Sequence, residues 1–249
     1  MRDGEKGKLA RFKRELKRSE QPPYLADPLY NLAMGWLREG PPQDAQDFNY
    51  AFCDGGLTSR NGHTGTFGTY GVCMMSHLPA FDTPDEWEIG VVDGGVLGPT
   101  VFAMGLDQVT SNQAEFAALI RALCWLPDGW KGRIVSDSAV TLRRFYSPFE
   151  TSGLLEEHIH LLIMLAERVP DCKCIYTKGH QDKLLSHLAA GNCLADALAD
   201  AAGEHYKSFC EELTAEVDDG LRQLVEEEKH GGTDAARAGQ QPQRRTTVL

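Results

Sequence analysis

An α/β fold, a five-stranded mixed sheet flanked by helices, is what this 249-residue sequence predicts, on three observations. Two stretches with strand periodicity are joined by a Gly/Ser/Thr-rich turn. A helical period then sets in, and beyond it short apolar strands alternate with amphipathic helices. Taken in order, Phe48, Tyr50 and Phe52 alternate with Asn49, Ala51 and Cys53, a first strand expected to end at Asp54-Gly55-Gly56. After a turn over 57–66, residues 67–75 supply aromatic and sulphur side chains suited to a pleated, half-buried surface, so the two stretches form a hairpin. A loop with Pro79, Pro84 and a second Asp-Gly-Gly at 93–95 follows, and a third strand is expected over 100–106.

Phe116, Leu119, Ile120, Leu123 and Leu126 fall at helical spacing, which predicts a helix over 112–126, ended by Pro127 and Gly129. Residues 133–137 form a short buried strand and 139–146 a helix stopped by Ser147-Pro148. A longer amphipathic helix over 153–169, a fifth strand over 172–178 and an Ala/Leu-rich helix over 192–209 complete the pattern. The order implies an antiparallel meander whose later strands are joined through right-handed helical crossovers. This domain, 47–207, is preceded by an extension, 1–46, with a basic helix at 6–18, a Pro22-Pro23 break, a short apolar helix at 29–37 and a Gly40-Pro41-Pro42 stop. It is followed over 208–249 by an acidic helix and, from Gly231, a tail expected to be disordered.

Composition excludes whole classes. With 42% hydrophobic residues, 25 Gly and 12 Pro, the chain is neither collagenous nor of disordered type, and no apolar run reaches the ~18 residues of a membrane span. The first residues lack the apolar stretch of a secretory signal, so an intracellular, soluble chain with no membrane partner is expected. Seven cysteines, an odd number without a C-x-x-C array, read as reduced thiols filling the core. A net charge of −11 argues against wholesale binding to phosphate backbones, but the charge is uneven. Residues 1–18 carry eight basic side chains against three acidic, and 211–229 carry eight acidic against two basic.

An acidic residue on the buried side of an element is the informative kind. Asp54 is in phase with Phe48, Tyr50 and Phe52 at the end of the first strand, and Asp137 with Val135 at the end of the fourth. Glu115 lies four residues before Leu119 on the helical face turned to the sheet, and Asp196 one turn ahead of Ala199. Any one of these is most simply a turn cap or salt-bridge partner; four converging on one sheet edge repel unless protons or cations neutralise them. An all-oxygen site favours Mg²⁺ or Mn²⁺ over zinc, and two such ions form the recurrent clamp for in-line displacement at phosphorus.

The ordered set Cys53-Asp54-Gly55-Gly56, Ser111-Asn112-Gln113-Ala114-Glu115, Val135-Ser136-Asp137-Ser138, Lys178-Gly179-His180 and Gly191-Asn192-Cys193-Leu194-Ala195-Asp196 resembles the type 1 ribonuclease H family, in its chain order and on the matching elements. Its Gly179-His180-Gln181 and Ala190-Gly191-Asn192 loop is similar to that of ribonuclease H domains attached to retroviral-type reverse transcriptases. The resemblance implies a ribonuclease H-like fold and a Mg²⁺-dependent endonuclease, with Mn²⁺ as a possible substitute. Such an enzyme cuts the RNA strand of an RNA/DNA hybrid and leaves 3′-hydroxyl and 5′-phosphate ends. It implies Asp54, Glu115, Asp137 and Asp196 as ligands of two ions, with Asp54 bridging, and His180 as a mobile histidine assisting proton movement or product departure. Asn112 matches the residue that reaches the minor groove, where a 2′-hydroxyl marks RNA; Thr110 and Ser111 are candidate backbone contacts, and Lys178 and Arg144 candidate phosphate contacts.

The chain departs from the family in several places. The stretch from Asp54 to Glu115 is long, with 83–99 resembling an inserted loop and Asp93-Gly94-Gly95 a decoy of the first motif. No separate Lys/Trp-rich helix follows Asp137, and the basic segment 6–18 is a candidate substitute for its phosphate contacts. The competing expectations are a catalytically silent ribonuclease-H-like binding module, and another nuclease of the superfamily such as a 3′ exonuclease or a resolvase.

Overall fold

Alternating side chains in the first hairpin put two different apolar sets on the two faces of one sheet, and the helices are placed by covering them. The structure, a computed structural model, describes residues 27–59, 66–79, 83, 86–98, 109–149, 155–179 and 186–238. β1 (Tyr50–Ser59) and β2 (Thr66–Met75) pair antiparallel, with Tyr50 opposite Met75, Asp54 opposite Gly71 and Ser59 opposite Thr66. β3 (Val91–Leu97) extends the meander antiparallel to β2. β4 (Arg133–Ser136) and β5 (Lys173–Tyr176) add in parallel on the far side of β1, giving the order β3-β2-β1-β4-β5. That mixed sheet, an antiparallel meander continued by two parallel strands, is the ribonuclease H-like arrangement the sequence implied.

The helices are α1 (Pro28–Glu39), α2 (Ser111–Trp125), α3 (Ala139–Tyr146), α4 (Glu156–Arg168) and α5 (His187–Ala238). Ala51, Cys53, Val72, Met74 and Ile134 face one side, where Leu29 and Ala33 of α1, Ala117 and Ile120 of α2, and Leu161 and Leu165 of α4 close the larger core. Phe52, Cys73, Met75 and Val135 face the other side, against Ala195 of α5. By contact the chain divides into two units, Met1–Tyr206 and Lys207–Leu249; α5 begins in the first and ends in the second. Among the described residues no helix is long and apolar enough to cross a membrane and no disulfide forms.

The hairpin, the central helix, the two parallel strands and the helix at 139–146 lie where periodicity put them, and three expectations are corrected. β1 does not stop at Asp54-Gly55-Gly56 but runs through it to Ser59, because Gly55 answers a close approach by α2 rather than a turn. The third strand is β3, and it contains the Asp93-Gly94-Gly95 assigned to a loop; a side chain at Gly94 would press on the Leu198 carbonyl and one at Gly95 on the Tyr70 ring. The expected strand at 100–106 and the basic helix at 6–18 lie outside the described residues. The helix expected over 192–209 starts at His187 and continues to Ala238, past the Gly231 where disorder was expected; the Ala-rich 235–238 is compatible with helix. Residues 239–249 lie outside the described residues.

Part of the extension expected before Asp47 packs into the main core. α1, capped by Asp27, whose Oδ1 accepts from the Tyr30 amide at 2.7 Å, buries Leu29, Ala33 and Trp36 in the main core. Trp36 meets Tyr70 edge-on at 5.5 Å. Buried Arg121 of α2 ties the pieces together: it bonds Asp93 of β3 at 2.5 Å and Glu39 of α1 at 2.9 Å, with its guanidinium over Trp36 and Trp125. Burial works against that charge, yet the two carboxylates outweigh it and hold the group above its ordinary range. Arg121→Met, which strips Asp93 of its cation, is expected to destabilise the fold by about 2–4 kcal/mol. Chemical denaturation beside wild type checks this, and an unchanged midpoint contradicts it.

Candidate active site

Parallel pairing brings the first two carboxylates together. Phe52 lies opposite Val135, and two residues further along the chain from each stand Asp54, in β1, and Asp137, just beyond β4, on the same face by the period of two. Glu115 comes from the second turn of α2, whose N-cap Thr110 is held by Gln113 Oε1, accepting from the Thr110 amide at 2.8 Å and its hydroxyl at 3.0 Å. The backbone at Ala114 and Glu115 lies directly over Gly55, so closely that a Cβ there would overlap the Glu115 amide. Gly55→Ala is therefore expected to push α2 off the sheet, with about 2–4 kcal/mol lost in a melting experiment. A variant as stable as wild type would show that the contact is dispensable.

One oxygen each from Asp54, Glu115 and Asp137 lie within 4.8 Å of one another. Asp54 is buried; Glu115 and Asp137 are half-buried. The two oxygens of Asp54 are each anchored: Oδ1 accepts from the Gly55 amide at 2.7 Å and Oδ2 from Asn192 Nδ2 at 3.1 Å. Glu115 also hydrogen-bonds Asp54, while its Oε2 is buried with no hydrogen-bond partner among the described residues. Burial first, then the charges of Asp137 and Asp196, push Asp54 up to about 7 despite the Gly55 and Glu115 hydrogen bonds. Burial and the neighbouring Asp54 and Asp137 push Glu115 up to about 9. The adjacent Cys53 thiol, fully buried beside these carboxylates, is held well above its ordinary range and stays protonated.

Such a set is what a hard divalent cation fits. The donors are all oxygen, they crowd to within one ion's reach, and the orphaned Glu115 Oε2 lacks the partner that a cation or proton would supply. Asp196, on α5 one turn beyond Asn192, is not among the three oxygens within 4.8 Å, but its charge acts on Asp54.

The remaining candidates fall into place unevenly. Thr110, Ser111 and Asn112 are exposed at the start of α2, with Asn112 three residues ahead of Glu115 and so beside it on the helix. Lys178 is exposed. His180 lies outside the described residues, although Gly179 before it abuts the Asp137 carboxylate so closely that it has no room for a side chain. Arg144, taken as a possible phosphate contact, is instead buried: its Nη1 donates to the Asn112 carbonyl at 3.0 Å and its guanidinium stands over Phe116, bracing the start of α2. Asn192 had no assigned role in the sequence. Its position one turn before Asp196, in phase with Ala195 and Ala199, was the signal that it faces the sheet.

The strand order, the strand directions and carboxylates in the middle of β1 and just beyond β4 define an α/β fold of ribonuclease H type with an acidic site. No family model matches the chain, and no curated protein matches it. Among solved structures it is similar to ribonuclease H1 of the halophilic archaeon Halobacterium salinarum, at 21% identity over 63% of this chain and 97% of that one, with a TM-score of 0.41. A ribonuclease H1 from compost, crystallised with an RNA/DNA hybrid, is similar at 20% identity over 63% and 97%, TM-score 0.43. The ribonuclease H domain of prototype foamy virus is similar at 18% identity over 63% and 95%, TM-score 0.47.

Proposed function

We propose that this protein is a divalent-cation-dependent endoribonuclease that cuts the RNA strand of RNA/DNA hybrids and leaves 3′-hydroxyl and 5′-phosphate ends. The observation that carries the proposal is the convergence of Asp54, Glu115 and Asp137 oxygens within 4.8 Å, with one Glu115 oxygen left without a hydrogen-bond partner among the described residues. Buried like charges of this kind are unfavourable in an empty protein and become favourable around a cation. A binding module gains nothing from them, which argues against the catalytically silent alternative.

Asp54, Glu115, Asp137 and Asp196 are the residues that would hold two Mg²⁺ or Mn²⁺ ions. When bound, such ions activate water and stabilise the charge that develops on the leaving oxygen. The protein's part is to fix the acceptors beforehand. Gly55 and Asn192 set the Asp54 carboxylate, α2 presents Glu115 beside it, and Arg144 holds the first turn of α2 where Thr110, Ser111 and Asn112 meet the hybrid. In this reading Asn112 contacts the minor groove and senses the 2′-hydroxyl, Lys178 contacts a phosphate, and His180 moves a proton or helps the product leave.

Incubation of the full chain with Mg²⁺ and an end-labelled RNA/DNA hybrid, beside duplex DNA and single-stranded RNA of the same sequence, tests the proposal. Cleavage of the hybrid's RNA strand alone, lost when the cation is chelated, is expected. Equal cleavage of all three, or none of the hybrid, contradicts it.

A further inference from the structure

We propose that Asn192 is a positioning residue that aims the Asp54 carboxylate at the cation, an inference that rests on reading Asp54 as a ligand. Asn192 is 4% exposed, in the first turns of α5, and its Nδ2 donates to Asp54 Oδ2 at 3.1 Å. Its own carbonyl, Oδ1, is buried and accepts nothing among the described residues. A buried amide with an idle carbonyl is a poor choice for stability, because the same space filled by an apolar side chain loses no hydrogen bond on that side. The amide is explained by the single bond it makes.

That bond completes a two-point grip. The Gly55 amide takes Oδ1 and the Asn192 amide takes Oδ2, so each oxygen of Asp54 has one lone pair committed to a fixed donor and the plane of the carboxylate is set. The oxygens' remaining acceptor capacity is left for the neighbouring carboxylates and for whatever neutralises them. The chemistry of the donor matters as well. A lysine or arginine in this position would cancel the charge that draws the cation, and an aspartate would add a further negative charge to the three already within 4.8 Å. A neutral donor orients Asp54 without altering the charge of the site. The helix itself is fixed here by close packing: Gly191 lies against the Phe52 ring, and the Ala195 carbonyl lies over Gly71, the partner of Asp54 in the hairpin. Asn192 therefore reaches Asp54 from a rigid element, the condition under which an outer hydrogen bond tunes a ligand.

The test compares full-length wild type, Asn192→Leu and Asn192→Ala by three measurements: Mn²⁺ affinity without substrate, from the free-ion electron paramagnetic resonance signal; melting temperature in chelator; and kcat and KM for the hybrid. Asn192→Leu keeps the volume and removes the idle carbonyl, so it is expected to melt at or above the wild-type temperature. Both variants are expected to bind Mn²⁺ roughly 10-fold more weakly and to lose a comparable factor in kcat, with KM for the hybrid unchanged and much of kcat recovered at high Mn²⁺. A residue that only packs would show the opposite pattern, a lowered melting temperature with Mn²⁺ affinity and kcat as in wild type, and that result overturns the proposal while leaving Asp54 as a ligand. A wild-type protein that takes up no Mn²⁺ overturns the reading of Asp54, and the proposal with it.

Discussion

Asp54→Asn is expected to lower kcat for hybrid cleavage by roughly 10³-fold while leaving the fold intact. Of the acidic residues assigned to the site, Asp54 is the one most buried and the one on which Glu115, Asp137 and Asp196 all act. Asparagine keeps the shape and replaces one anionic oxygen with a donor that no cation accepts. It also removes a like charge from the empty site, so the same variant is expected to melt higher than wild type in chelator, as is Asp137→Asn. The two readouts move in opposite directions, which a general folding defect cannot imitate. Wild-type activity in Asp54→Asn would show that the cleavage belongs to a contaminant or to another site.

The stability of the cation-free protein is expected to fall as pH rises, the reverse of ordinary acid denaturation. Asp54 titrates at about 7 and Glu115 at about 9 in the native chain, against ordinary values of 3.8 and 4.5. Both are raised, so the native state holds protons that the unfolded state has released, and the slope of unfolding free energy against pH is negative. Stability from these groups is complete below about pH 4 and is lost through 7 and then 9. Each such proton contributes at most about 1.4 kcal/mol per pH unit, so the fall is steepest between 5 and 7, where both groups count, and gentler between 7 and 9, where Glu115 alone remains. Melting temperatures in chelator across that range check the sign. Saturating Mg²⁺ is expected to flatten the profile, because cation binding replaces the retained protons. A chelator profile that rises with pH contradicts the shared burial of these carboxylates.

The parts of the site that follow simple periods were legible in the sequence. Asp54 and Asp137 declare themselves by sharing parity with Phe52 and Val135, and Glu115 by standing four residues from Leu119, because parity and helical phase decide which face a residue occupies whatever packs there. What depends on the packing partner was hidden. Gly94 and Gly95 look like a turn until the Leu198 carbonyl and the Tyr70 ring are seen to need the space, so the strand that contains them reads as a loop. The sequence reads α1 as part of an extension, whereas the burial of Leu29, Ala33 and Trp36 and the bonds of Arg121 to Glu39 and Asp93 show that it belongs to the main core. Arg144 read as a candidate phosphate contact and Asn192, though part of a motif, carried no role, since a hydrogen bond across 32 or 138 residues leaves no local trace.

The most direct test of the central claim, that Asp54, Glu115 and Asp137 form an oxygen-only cation site, is a crystal of the protein soaked in Mn²⁺ and measured for anomalous scattering. An anomalous peak bonded at about 2.0–2.3 Å to oxygens of all three residues is the predicted result. A map with no peak there, or with the manganese held elsewhere while these carboxylates stay protonated against one another, would contradict it.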